Sequence, residues 1–91
     1  MTTTISEVGL LAIQAHHYGL ERRKAKSKLD AAYKTWREET STFHHIERDG
    51  AEWAAMMRST KTEYLALDDA KRLERNAQAR LARAINKGVK V

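Results

Sequence analysis

The chain has 91 residues and a formal net charge of +5, and it contains neither cysteine nor proline. A chain of this length forms a single domain, and the lack of cysteine excludes disulfides, thiolate metal ligands and a cysteine nucleophile. Fourteen alanines favour helix, whereas Leu, Ile, Val and Phe together number only 16, so material for a hydrophobic core is scarce.

The first predicted element is a long helix over residues 5–39. Thr4 and Glu7 have the spacing of a capping box, which marks its start. An apolar stripe then recurs at steps of three and four residues, typical of a helix that packs along one side. The stripe comprises Val8, Leu11, Ala15, Tyr18, Ala25, Leu29, Ala32 and Trp36. Arg22 and Glu39 interrupt it.

A connection over residues 40–49 and a second long helix over 50–87 follow. Asp49-Gly50 is the clearest turn signal in the chain, and Asp49 with Glu52 has the spacing of a second capping box. Gly88 suits the position just past a helix C-terminus, and we expect residues 88–91 to fray. The second stripe comprises Trp53, Met57, Thr60, Tyr64, Leu67, Ala70, Leu73, Ala77, Leu81, Ala84 and Ile85.

The two helices are predicted to form an all-α antiparallel hairpin, because the connection between them is short. If paired residue numbers sum to about 92, Ala25 meets Leu67 and Leu11 meets Leu81, so one register places stripe on stripe. The alternative is a kink or a third short helix near Gly19, although a glycine inside a helix costs only about 1 kcal/mol.

A lone two-helix hairpin encloses no core, so we expect another chain to complete a helical bundle. The partner is either a second copy, giving a homodimer, or a larger complex. The N-terminal segment carries more apolar residues than one stripe needs, although isolated exposed residues would also explain Leu10 and Ile13. Phe43 and Ile46 either form a docking tip or close the hairpin end. The candidate protein interface is Ile5, Leu10, Ile13, Phe43, Ile46 and Trp53.

The sequence offers no catalytic constellation, and we predict a non-enzymatic protein with no catalytic residue, metal or cofactor. The glycines do not form a phosphate-binding loop, and no serine lies in a nucleophile-elbow motif. The pairs His16-His17 and His44-His45 are adjacent in sequence, so on a helix their side chains diverge by about 100° and do not chelate one ion. Glu47 and Asp49 near His44 leave a weak metal site in the turn as the alternative.

The charges form blocks. Residues 20–37 and 58–91 each carry a net charge of +5, and residues 38–57 carry −4. Because the hairpin encloses no core of its own, we predict a protein–protein interaction module that acts as an adaptor, inhibitor or regulatory subunit, in the cytoplasm and not at a membrane. The alternative is a nucleic-acid-binding accessory protein whose basic helix faces follow a phosphate backbone. Its candidate contacts are Arg22, Arg23, Lys24, Lys26, Arg72, Arg80, Arg83 and Lys87.

Overall fold

A computed structural model describes residues 2–90 as a long helical hairpin whose two ends are joined by a pair of short strands. Helices α1 and α3 pack against each other along their lengths, which confirms the all-α hairpin. The molecule measures 59 × 20 × 18 Å, and its radius of gyration of 18.9 Å exceeds the about 12 Å of a compact domain of this length. The elements are β1 (Thr3–Thr4), α1 (Ile5–Thr40), α2 (Ala51–Ser59), α3 (Lys61–Asn86) and β2 (Val89–Lys90).

Helix α1 begins where the first capping residue was predicted. The Thr4 hydroxyl accepts a hydrogen bond from the Glu7 amide at 3.2 Å, so Thr4 is the N-cap. The helix then continues through Gly19 to Thr40, a length of about 54 Å. The third short helix near Gly19, which the sequence left as an alternative, is not formed. The third helix arises instead from a break in the second half of the chain, described below.

The end of α1 is fixed by hydrogen bonds from its last turn to the connection. Ser41 adopts the left-handed conformation with φ 53°, and the Thr42 amide donates to the Arg37 carbonyl at 2.9 Å. The Arg37 guanidinium in turn donates to the carbonyls of Thr42 and His44, at 3.1 and 2.9 Å. One arginine therefore anchors the first residues of the connection to the helix they leave.

The predicted second capping box is wrong. Asp49 has a φ of 67°, which places it in a left-handed turn before the helix, and Gly50 is the N-cap of α2 without a side-chain hydrogen bond. Glu52 is engaged elsewhere, because its Oε1 lies 2.7 Å from Nε2 of His44. The turn that Asp49-Gly50 predicted is present, but it takes Asp49 out of the capping position.

The second half of the hairpin is two helices rather than the one expected over residues 50–87. The helical path breaks at Thr60, whose φ of −109° and ψ of 15° separate α2 from α3. The Thr60 hydroxyl donates to the Met56 carbonyl at 2.8 Å, a back-bond to the preceding turn that bends helices. Thr60 is fully buried, as its place on the predicted stripe implied.

The described part of the tail that was expected to fray, residues 88–90, is ordered, because Val89 and Lys90 pair in parallel with Thr3 and Thr4. Val91 lies outside the described residues. The Thr3 amide donates to the Gly88 carbonyl at 2.9 Å. Gly88 has a φ of 87°, which turns the chain back from the end of α3 toward β1. The signal for this pairing is weak, since each strand has only two residues.

The helices pack within about one turn of the predicted register. Residue numbers of partners sum to 96 for Arg22 with Glu74 and to 90 for Tyr33 with Met57, against the 92 predicted. The core is a single thin seam, as the shortage of large apolar residues implied. Within residues 2–90, the buried apolar residues are Leu29, Trp36, Ile46, Leu67, Ala77 and Ala84.

Candidate functional site

The outer stripe, which we define as Leu10, Ile13, His17 and Leu20, lies on α1 away from the α1–α3 seam. Leu10 is 64% exposed, Ile13 is 67% exposed and Leu20 is 39% exposed. Their spacing of three, four and three residues aligns them on one helix face, as in a coiled-coil seam. Ile5 is exposed as well, so three of the six candidate interface residues lie near the start of α1.

The three other candidate interface residues, at the turn, do not form one surface. Phe43 is 71% exposed, whereas Ile46 is 8% exposed and Trp53 is partly buried. Ile46 therefore helps to close the hairpin end, and Phe43 alone projects from it. Closure of the hairpin end therefore holds for Ile46, whereas Phe43 is exposed and does not take part in it.

Half of the basic candidates are engaged with carboxylates. Lys24 lies 3.5 Å from Glu21, and Lys26 lies 2.8 Å from Asp30. Arg72 is hydrogen-bonded to Asp69, one turn before it on α3, and Arg22 is paired across the seam. In the part of the chain that the structure describes, four exposed candidates have no ion pair: Arg23, Arg80, Arg83 and Lys87.

Arg22 is not an interruption of the α1 stripe but one half of a pair within the seam. Its Nε donates to Glu74 Oε1 at 2.9 Å, and the two side chains are 33% and 17% exposed. Sequence reasoning missed Glu74 because a carboxylate was not counted on an apolar stripe. The sequence did indicate that Glu74 faces the seam, because it lies four residues after Ala70 and three before Ala77, both of which are on the stripe.

A side groove runs between α1 and α3 on one side of the hairpin. The half of the groove nearer the turn is a depression of about 500 Å³, and the half nearer the open end of the hairpin, where the chain termini lie, is a depression of about 470 Å³. Lys28 and Glu63 line both, so the two halves form one groove. Its lining repeats at steps of three and four residues, through Tyr18, Glu21, Ala25, Lys28, Ala32, Thr35 and Glu39 on α1, and through Ser59 at the end of α2 and Thr62, Ala66, Asp69 and Leu73 on α3.

The histidine pairs are placed in two separate parts of the hairpin. The His17 ring meets the edge of Tyr18 with ring centroids 5.8 Å apart, and His44 is bound to Glu52 in the turn. Among residues 2–90, no three His, Asp or Glu side chains converge in a way that would hold a metal ion.

None of the helices within residues 2–90 combines the length and apolar character needed to cross a membrane. Comparison of the chain with protein-family models, with curated proteins and with solved structures finds no match. The surfaces described above are therefore the basis for the function proposed below.

Proposed function

We propose that this chain is a non-enzymatic helical hairpin that acts by contact with other proteins, as an adaptor, inhibitor or regulatory subunit. The proposal includes the cytoplasmic location expected from the sequence. The observation that carries it is the outer stripe, where Leu10, Ile13 and Leu20 are exposed at the spacing of a coiled-coil seam.

Contact with a partner would be stabilised by burial of the apolar side chains of the outer stripe. Burying a large aliphatic side chain contributes about 1.5 to 3 kcal/mol. Leu10 and Ile13 retain most of their surface in the isolated hairpin, and their common face suits the ridge of a partner helix. Single exposed leucines need no explanation, but three aligned on one face of the same helix favour a contact surface.

The test compares Ile13→Glu with Leu65→Glu, a matched control that introduces the same charge at an exposed apolar residue of α3. Tagged wild type and both variants are cross-linked in extracts of the producing cells, and the bound proteins are identified by mass spectrometry. We expect wild type and Leu65→Glu to retain the same proteins and Ile13→Glu to lose them. Equal retention by both variants would contradict the proposal.

A second candidate function, nucleic-acid binding, is favoured by one observation. Arg80, Arg83 and Lys87 are exposed at spacings of three and four residues on α3, so they share a face able to follow phosphates. The test is a salt titration of binding to random DNA and RNA. Binding at about 50 mM salt that weakens in Arg80→Glu/Arg83→Glu supports this function, and no binding at that salt, where such contacts are strongest, excludes it.

A further inference from the structure

We propose that the side groove binds a second copy of this chain, so that two hairpins pack groove to groove as a four-helix bundle. The turns of both copies lie at the same end, and α1 of each copy packs against α3 of the other. This inference goes beyond the proposed function, because it assigns a second contact surface, separate from the outer stripe, and names one partner for it.

The groove has the periodicity that a bundle interface requires. Both of its walls repeat at steps of three and four residues, which is the spacing of helices that interdigitate side chains. Alanines lie at the centre of each wall, Ala25 and Ala32 on α1 and Ala66 on α3. Small side chains at these positions let the helices of a second copy approach closely.

The two walls carry opposite charge at the same height along the hairpin. Lys24 and Lys28 lie on the α1 wall, and Asp69 and Glu63 lie at the corresponding levels on the α3 wall. When α1 packs against α3 of the second copy, each lysine faces a carboxylate. Lys28 and Glu63 have no ion pair within residues 2–90, so both are free to form one between copies.

The remaining acidic residues of the α1 wall do not oppose this arrangement. Glu21 lies at the open end of the groove, where the α3 wall presents Leu73, and it already pairs with Lys24 at 3.5 Å. Glu39 lies at the turn end, where the opposite wall of the groove presents Ser59, the last residue of α2. Neither carboxylate is therefore brought against another when the walls of two copies meet.

The charges also select this two-fold axis over the other one available. A two-fold axis across the hairpin would pack α1 on α1 and α3 on α3. If this axis passed through the centre of the groove, Lys28 would face Lys28 of the second chain, and Glu63 would face Glu63 of the second chain. Like charges at an interface are unfavourable, whereas an axis along the hairpin avoids them. The interface is then isologous, as in most homodimers.

The available area is adequate for a stable dimer. The accessible surface of 6774 Å² exceeds by about 1,400 Å² the about 5,400 Å² expected of a compact monomer of this mass. A standard interface removes about 800 Å² from each partner. The groove spans 22 residues of α1, about 32 Å, on a molecule about 20 Å wide, so its flat face of about 640 Å² approaches the area that a standard interface removes from one partner.

The first experiment measures the mass of the full chain in solution by sedimentation equilibrium. We expect a dimer in wild type, at least tenfold weaker association in Lys28→Glu and in Glu63→Lys, and restored association in the double variant. Lys34→Glu is the matched control, because Lys34 is exposed on α1 and lies outside the groove lining. It should associate as wild type does.

Three outcomes would overturn the proposal: wild type that stays monomeric up to about millimolar concentration, single variants that associate like Lys34→Glu, or dimerisation lost in Ile13→Glu but kept in Lys28→Glu. The last result would assign the dimer to the outer stripe. A monomeric wild type leaves the proposed function standing, since that fails only if Ile13→Glu retains the proteins bound by wild type.

The second experiment tests the orientation, and the cysteine-free chain makes it direct. Chains carrying Ala25→Cys are mixed with chains carrying Ala66→Cys and then oxidised. We expect a disulfide between the two kinds of chain and none between two Ala25→Cys chains, whose sites lie on diagonal helices. Efficient cross-linking of Ala25→Cys to itself would contradict the orientation.

Discussion

Arg22 and Glu74 form an ion pair inside the seam of the hairpin, with Nε of the arginine 2.9 Å from Oε1 of the glutamate. Gly19 lies beside this pair, and a Cβ at Gly19 would come within 2.8 Å of Glu74 Oε2. Both charged residues occupy positions that continue the apolar stripes of their helices. The pair thus fixes which part of α1 meets which part of α3.

The first prediction concerns the cost of breaking this pair. Glu74→Leu leaves Arg22 without its partner, and we expect a loss of about 1 to 2 kcal/mol, below the about 3 to 5 kcal/mol of a fully buried pair because Arg22 still reaches water. Replacing both residues by leucine should restore at least wild-type stability. Urea unfolding measures both. If the double variant lost as much stability as Arg22→Leu and Glu74→Leu lose together, the two residues would not act as a pair.

The second prediction separates helix propensity from the space at Gly19. Alanine is favoured over glycine in a helix by about 1 kcal/mol. Gly9→Ala should gain this amount, since apart from its neighbours in the chain and the backbone of its own helix no atom lies within 4 Å of the added Cβ, whereas Gly19→Ala should gain less because it displaces Glu74 from Arg22. In a Glu74→Ala background the two substitutions should be equally stabilising. Equal gains already in wild type would show that the pair tolerates the methyl group.

The third prediction concerns the pairing of the chain ends. Gly88 has a φ of 87°, and a side chain in the left-handed region costs roughly 1 to 2 kcal/mol. Gly88→Ala should therefore open the terminal strand pair and speed hydrogen exchange of the Thr3 amide, which donates to the Gly88 carbonyl. Leu29 in mid-helix should keep its protection. Unchanged exchange at Thr3 would mean that the pairing does not depend on this turn.

The fourth prediction is a loss of stability in alkali. Burial raises the pKa of the Tyr33 phenol above its usual value of 10.0, and the nearby Tyr64 acts in the same direction. Because the folded state holds this proton more tightly, the contribution is complete below the unfolded pKa and is lost as pH rises above about 10. Urea unfolding at pH 9 and 11 should show a smaller loss in Tyr33→Phe than in wild type. The same loss in both would exclude Tyr33 as the cause.

Much of the fold was predictable because it depends on patterns that one helix carries by itself. The Thr4 cap, the helix over Ile5–Thr40 and the seam all follow from residue spacing along the chain. The approximate register of the hairpin was predictable as well, because it was the one in which both stripes coincide.

The features that sequence reasoning missed depend on contacts between distant residues or on local competition. Glu74 gains its place in the seam only through Arg22, which lies 52 positions earlier. The break at Thr60 arises because its hydroxyl bonds the Met56 carbonyl, an alternative to regular helix that periodicity does not reveal. Of the candidate interface, Ile46 proved to be buried because the connection folds over the hairpin end.

The central claim is that a second copy of the chain completes the thin core of this hairpin, and thermal unfolding at different chain concentrations tests it most directly. If folding is coupled to dimerisation, a 100-fold rise in concentration should raise the Tm by roughly 7 °C, given the unfolding entropy of two chains of this length. A Tm that does not change with concentration over this range would contradict the claim.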